Sequence, residues 1–325
     1  MMRRRALHGI AALVAAVSMT AVGQRRTPIR IGWLAIEPIA SNLAAFREGM
    51  RENGHVEGTE LVIEQRYAHD VSRFAAMADE LARLDVDIIV ATTSTAVRAV
   101  RKVAPRIPIV FVVADPVASG LVSSLAQPGG DMTGVATLLV ELVGKRLQLL
   151  KELTPGIHSF ALLNDAAGVG IEIQRVYLEQ ARDAARQVGI ELRGSYPVKK
   201  ADDIDSAFDA AAKSGTNTMV LVSSPWFHAN MDRVVRAAMR VRMLTIYEHA
   251  DFVRIGGLVS YGTDLRGVYR NVATYVDKIL KGAPPATLPV EQVRKIELVI
   301  NLKTAKALGL SIPQSVLLRA DEVIQ

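Results

Sequence analysis

Hydroxyl and carboxylate side chains follow several apolar runs in the first half of this chain, at positions where a small molecule could bind. Ser94 and Thr95 come after an apolar run and before a helical pattern. Their hydroxyls and the free N–H groups of a first helical turn could hold a carboxylate, and a plain N-cap is the alternative. Asp115 ends the next apolar run, where it either pairs with a ligand ammonium group or caps the following turn.

The second half of the chain places similar residues at the ends of its own apolar runs. These polar positions are Asn164, Ser224 and Glu248. Glu248 is interpreted either as a ligand acceptor or as a solvated strand end. Tyr247, like Trp226 and Phe227, offers an aromatic face that could stack on a ligand, and the alternative is a place in the core.

Residues typical of catalysis or metal binding do not cluster in the sequence. The six histidines show no metal-ligand spacing, and no Gly-x-Ser-x-Gly or phosphate-binding glycine motif occurs. The polar run Glu248-His249-x-Asp251 is more typical of helix capping than of acid–base chemistry. We therefore expect a binding protein without cofactor or metal rather than an enzyme, and an α/β enzyme is the minor alternative.

The elements that position these residues alternate between strand and helix along the whole chain. Apolar runs predict strands at residues 29–36, 61–66, 86–91, 109–113, 160–163, 190–196, 219–222, 244–247, 258–261 and 296–300. Helical spacing occurs between them, for example at Leu43, Phe46 and Met50. This alternation favours largely parallel sheets, which bind ligands outside the carboxyl ends of their strands. The pattern restarts after the glycine-rich turn predicted at residues 128–134, so we expect two βαβα halves.

The N-terminus has the features of an export signal. Residues 1–23 contain three arginines, then an uncharged segment at residues 9–22 that ends in Ala21-Val22-Gly23, a small-x-small cleavage pattern. The segment is shorter than the roughly 20 apolar residues of a membrane span, so stable membrane insertion is not expected.

Charge and cysteine content narrow the range of partners. Removal of residues 1–23 lowers the formal net charge from +6 to +3, and no basic run with interleaved aromatic residues suggests nucleic-acid binding. The chain has no cysteine, and so neither disulfides nor a lipid-modified cysteine.

A set of short motifs, in order from about residue 28 to the C-terminus, resembles one family. They are Ile31-Gly32-Trp33-Leu34, Phe46-Arg47-Glu48-Gly49-Met50-Arg51-Glu52-Asn53-Gly54, Asp115-Pro116-Val117, Gln127-Pro128-Gly129-Gly130-Asp131-Met132-Thr133-Gly134, Gly256-Gly257-Leu258-Val259-Ser260-Tyr261-Gly262 and Asn301-Leu302-Lys303-Thr304-Ala305-Lys306-Ala307-Leu308-Gly309-Leu310. As a set they are similar to the ABC-transporter substrate-binding proteins of the tryptophan/tyrosine-binding type.

The resemblance implies a type I periplasmic-binding-protein fold, in which two doubly wound parallel-sheet lobes are joined by a three-segment hinge. The expected lobes are residues 28–135 with 263–285, and residues 136–262 with 286–325. It further implies a periplasmic protein that captures a small ligand, an amino acid or small carboxylate, for an ABC transporter permease. An exported sensing module for a signalling partner is the alternative.

On this resemblance, the ligand would lie between the two lobes. Ser94 and Thr95 would hold its carboxylate and Asp115 its amino group. The second lobe would contribute Asn164, Ser224, Tyr247 and Glu248.

Overall fold

The computed structural model describes residues 28–137, 142–166, 171–222, 224–293 and 295–325, with the backbone alone for residues 171–174. The predicted export signal at residues 1–23 lies outside these ranges. The described chain forms two α/β lobes, each built on one twisted sheet with helices on both faces.

The sheet of the first lobe is parallel throughout, in the order β11-β5-β4-β3-β1-β2. Its strands are β1 (Ile29–Ala35), β2 (Leu61–Tyr67), β3 (Ile88–Ala91), β4 (Ile109–Val113), β5 (Met132–Ala136) and β11 (Glu291–Gln292). The helices of this lobe are α1 (Ala40–Glu52), α2 (Phe74–Arg83), α3 (Ser94–Val103) and α10 (Leu265–Leu280).

Apolar residues at helical spacing fix which helix covers which face of the first sheet. Phe46 of α1 and Val272 of α10 are buried against one face, where the Trp33 ring lies 5.3 Å from the Phe46 ring. Leu81 of α2 and Val97 of α3 are buried against the other face. With both faces covered, the inner strands β3 and β4 are apolar along their length, whereas the edge strand β2 carries polar residues.

The sheet of the second lobe has the order β13-β12-β10-β9-β8-β6-β7, and only its β10–β12 pair is antiparallel among the described residues. Its strands are β6 (Ser159–Asp165), β7 (Glu191–Val198), β8 (Thr218–Leu221), β9 (Leu244–Tyr247), β10 (Val259–Thr263), β12 (Ile296–Asn301) and β13 (Glu322–Ile324). Its helices are α4 (Val143–Leu153), α5 (Ile171–Val188), α6 (Asp203–Lys213), α7 (Pro225–Ala229), α8 (Met231–Arg240), α9 (Ala250–Arg254), α11 (Leu302–Leu308) and α12 (Gln314–Leu317).

Two apolar layers also enclose the second sheet. Leu147 of α4 and Tyr177 of α5 are buried on one face. Phe208 of α6, Val234 of α8 and Phe252 of α9 are buried on the other. The predicted fold class, two doubly wound lobes with largely parallel sheets, is confirmed.

The prediction of a continuous glycine-rich turn at residues 128–134 is wrong, because strand β5 begins at Met132. The chain turns before Met132 and then pairs with β4 through Ala136. Gly134 is required inside this strand because a Cβ there would lie 2.1 Å from the Phe111 carbonyl oxygen.

The third crossing between the lobes also differs from the predicted boundary at residue 285. Glu291 and Gln292 pair with β5, and the Thr133 hydroxyl donates to the Leu288 carbonyl at 2.7 Å. These backbone contacts hold residues 286–293 on the first lobe, so the chain enters the second lobe only just before β12. The other two crossings lie between β5 and α4 and between β10 and α10.

Candidate functional site

The carboxyl edges of the two sheets face each other across the space between the lobes. Helix α1 begins just after β1, and α9 begins just after β9. The Ser41 hydroxyl at the start of α1 donates to Asp251 Oδ2 of α9 at 2.8 Å. This contact brings together a carboxyl edge of each lobe, the edge where parallel sheets bind ligands.

In the first lobe, Ser94 and Thr95 form the first turn of α3. The capping role falls to their neighbour, because the Thr93 hydroxyl accepts the Ala96 N–H at 3.1 Å. Ser94 is half-buried and Thr95 is exposed, and neither side chain forms a hydrogen bond within the described residues. Their hydroxyls are thus available beside a helix N-terminus.

Asp115 lies exposed in the loop after β4. Its Oδ1 accepts the backbone N–H groups of Val117 at 3.1 Å and Ala118 at 2.9 Å. The turn-capping alternative considered from the sequence is therefore present in the structure. Both amides donate to the same oxygen, Oδ1. A contact between the carboxylate and a ligand ammonium group remains a proposal.

In the second lobe, Asn164 and Ser224 sit at neighbouring strand ends. Asn164 Oδ1 accepts the Ser195 hydroxyl at 2.8 Å. Ser224 caps α7 by accepting the Trp226 N–H at 3.1 Å, and its own hydroxyl donates to the buried Asp165 carboxylate at 2.5 Å. Ser224 is therefore held in one orientation by groups of its own lobe.

Tyr247 belongs to the core rather than to the surface of the inter-lobe space. The residue is 1 % exposed, and its ring stacks on Phe252 with 4.9 Å between centroids. Burial raises the pKa of the Tyr247 hydroxyl above its ordinary value. Phe227 is likewise buried, while Trp226 is half-buried.

Glu248 takes part in a buried network that the sequence did not reveal. Its Oε1 accepts Arg146 Nη1 at 2.9 Å, and Arg146 is 1 % exposed. Arg146 Nε donates to the Tyr261 carbonyl at 2.8 Å, and Nη1 also contacts the Tyr177 hydroxyl at 3.3 Å. One guanidinium thus joins α4 and α5 to the residue after β9 and to the middle of β10.

One feature of the sequence could have indicated that Arg146 is buried, namely its position within an apolar stripe. Val143, Leu147 and Leu150 are buried on α4, and Arg146 lies on the same face at helical spacing. A charged residue within such a stripe indicates a buried partner. The partner, Glu248, is 102 residues away, and no local pattern joins the two.

Two histidines stack near the Asp251 carboxylate. The rings of His228 and His249 are parallel to within 20°, with centroids 5.3 Å apart, and His228 Nε2 lies 3.1 Å from Asp251 Oδ2. The Nδ1 atom of His249 is buried without a hydrogen-bond partner among the described residues. Burial, and then the neighbouring His228 and Arg146, lower the pKa of His249 to about 3.

The described part of the chain contains neither a metal-binding cluster nor a membrane-spanning helix. Its His, Asp and Glu residues form no group of three or more that could hold a metal ion. No helix there combines the length and the apolar composition of a membrane span.

Comparison with known proteins identifies the family. The profile described as ABC transporter substrate binding protein matches residues 38–324, most of the chain. The chain belongs to this family. The predicted resemblance is confirmed, and the coarse function that accompanies it is binding of a substrate for an ABC transporter.

Individual relatives of this substrate-binding protein agree with the two-lobe architecture. A tyrosine-binding protein of Clostridioides difficile is 25 % identical over 270 residues, which cover 82 % of this chain and 75 % of the relative. A solved conserved domain protein of Vibrio cholerae has a TM-score of 0.82 at 25 % identity, covering 91 % of this chain and 100 % of that one. An ABC domain of Streptococcus pneumoniae in complex with L-Trp has a TM-score of 0.81 at 24 % identity, covering 92 % and 100 %.

The Arg146–Glu248 pair leads to a prediction about stability. Arg146→Met leaves the buried Glu248 carboxylate without the guanidinium, so the free energy of unfolding should fall by about 3–5 kcal/mol in urea titrations. The double variant Arg146→Met/Glu248→Leu removes both charges and should lose less. Arg83→Met breaks an exposed pair with Asp79 and serves as the control, with a loss of about 1 kcal/mol at most. A double variant no more stable than Arg146→Met would contradict this account.

The buried His249 leads to a prediction about pH. His249 is neutral in the folded protein, whereas an unfolded histidine binds a proton below about pH 6.5, so acidification should favour unfolding. Between pH 6.5 and about 4.5 the free energy of unfolding should decrease by up to about 1.4 kcal/mol per pH unit from this group. Asp251 adds little slope there, because a hydrogen bond with His228 lowers its pKa in the folded state and the unfolded carboxyl, with a pKa of about 3.9, is also largely ionised.

The variant His249→Gln should flatten this pH dependence of stability in urea titrations. The exposed His158 supplies the control, because His158→Gln should leave the slope of the wild type unchanged. An equal slope in wild type and His249→Gln would show that His249 is not the responsible group.

Proposed function

We propose that this protein is an exported solute-binding protein that captures one amino acid between its two lobes and presents it to an ABC importer. The observation that carries the proposal is the Ser41–Asp251 contact, which sets the carboxyl edges of two parallel sheets face to face. In parallel α/β sheets these edges are where ligands bind.

The proposed ligand is an aromatic amino acid. Support comes from the 25 % identical relative named a tyrosine-binding protein, and from the L-Trp held by the S. pneumoniae protein of the same fold. The ligand carboxylate would meet the Ser94 and Thr95 hydroxyls at the N-terminal turn of α3, where the helix dipole favours an anion. The ammonium group would meet Asp115.

From the second lobe, Asn164 and Ser224 are proposed to contact the ligand because they end the neighbouring strands β6 and β8. Tyr247 and Glu248 were expected from the sequence in the same role. Their burial favours a supporting role instead, in which they fix the end of β9 beneath the ligand. We also propose that the ligand is bound without turnover, so it should be recovered chemically unchanged.

Export through the signal at residues 1–23 belongs to this proposal, and these residues lie outside the described part of the chain. The mature protein should begin near Gln24, by N-terminal sequencing of the periplasmic fraction. A periplasmic protein that retains Met1 would contradict the assigned cleavage.

The ligand is tested by thermal unfolding with L-tyrosine, L-tryptophan and their D-enantiomers. A ligand at 100 times its dissociation constant should stabilise the folded state by about 2.7 kcal/mol, and calorimetric titration then gives Kd. If neither L-amino acid raises the melting temperature, the proposed ligand class is contradicted.

Asp115→Asn separates the two roles of Asp115. The amide keeps the oxygen that caps the turn and removes the charge, so the melting temperature of the unliganded protein should stay close to wild type. Affinity for the L-amino acid should fall about tenfold, as expected for loss of a charge-assisted hydrogen bond. The matched ligand without an amino group, 3-(4-hydroxyphenyl)propionate, should bind both proteins equally. Equal Kd values of wild type and Asp115→Asn for the amino acid would remove Asp115 from the site.

A further inference from the structure

The contact between Ser41 and Asp251 joins the two lobes beside the crossing from β10 to α10. Ser41 belongs to the first lobe and Asp251 to the second, 210 residues apart in sequence. Both line a small space that also includes Thr263 and Asp264, at the end of β10 and the start of α10. The contact is therefore next to the hinge and is not among the residues proposed to touch the ligand.

On the second lobe, the Asp251 carboxylate is held in place from two sides. His228 Nε2 lies 3.1 Å from Oδ2, and Arg254 Nη1 donates to Oδ1 at 3.2 Å. Arg254 is anchored in turn by Glu322 at 2.7 Å. His228 and Arg254 both belong to the second lobe, so they orient the Asp251 side chain independently of the first lobe.

On the first lobe, the start of α1 lacks an anion of its own. The N-cap residue Ile39 makes no side-chain capping bond, and the first turn contains no acidic residue. The neighbouring Asn42, in the same turn as Ser41, is buried. A carboxylate beside such a helix N-terminus is favoured by the helix dipole.

We propose that Ser41 and Asp251 form a latch between the lobes, which stabilises the closed form and so raises ligand affinity without touching the ligand. Asp251 supplies from the opposite lobe the anion that α1 lacks, and Ser41 supplies the hydrogen-bond donor. Any contact made only in the closed form shifts the open–closed equilibrium by its own free energy, and the apparent affinity follows. The proposal rests on the proposed capture of a ligand between the lobes.

The test uses Ser41→Ala, which removes one hydroxyl and no charge. Its Kd for L-tyrosine and L-tryptophan should rise about 3- to 10-fold by calorimetry, as expected for a partly exposed hydrogen bond to a carboxylate. Its unliganded melting temperature should equal that of wild type. Ser72→Ala is the matched control, because the Ser72 hydroxyl donates to Asp70 within the first lobe at 2.6 Å and should not affect closure.

A second variant tests the pair itself. Asp251→Asn should raise Kd in the wild-type background, and in the Ser41→Ala background it should raise Kd by a smaller factor, because the latch is already lost. Additive effects of the two substitutions would overturn the pairing, and so would a Kd unchanged by Ser41→Ala.

A ligand-independent readout separates the latch from the proposed function. If wild type binds neither amino acid, small-angle X-ray scattering of the unliganded proteins still tests whether the latch exists. A larger radius of gyration for Ser41→Ala than for wild type and Ser72→Ala would support the latch while the proposed ligand fails. Equal radii in that case would overturn the latch as well.

Discussion

Parallel sheets covered on both faces impose the constraint on which the remaining features of this protein depend. Helices bury both faces of each sheet, so the inner strands are mainly apolar and charged groups collect at the strand ends, and the carboxyl ends of parallel strands share one edge. The three crossings of the chain turn these edges towards each other, and Ser41 meets Asp251 across the gap. The proposed site between the lobes is consistent with this topology.

The two lobes carry different polar groups near these strand ends. The second lobe has a buried charged pair, and the first lobe has hydroxyl groups. Arg146 bonds both the Glu248 carboxylate and the Tyr261 carbonyl in the middle of β10, and these bonds offset part of the desolvation cost of the buried charges. In the first lobe Thr93 caps α3, so the Ser94 and Thr95 hydroxyls are not used for capping. One lobe thus presents a fixed surface, while the other presents groups suited to a ligand carboxylate.

The fold class was predictable from the sequence because most strands and helices carry their own apolar period. Features that depend on residues far away in the chain could not be predicted from the sequence. Strand β5 has a glycine where Phe111 approaches, and β11 is a two-residue strand defined only by its pairing with β5. The roles of Arg146 and Asp251 depend on partners 102 and 210 residues away, Glu248 and Ser41, so no local spacing could indicate them. Tyr247 and Glu248 were placed correctly at a strand end, but their burial depends on α4 and α9.

Closure of the two lobes on an amino acid is the central claim, and the distance between the lobes tests it most directly. The chain has no cysteine, so spin labels can be placed cleanly at Val117→Cys and Lys200→Cys, which follow strands of different lobes and are exposed. Pulsed electron paramagnetic resonance should show the distance distribution shifting to shorter values and narrowing when saturating L-tyrosine or L-tryptophan is added. A distribution that stays unchanged while calorimetry shows the amino acid bound would contradict closure.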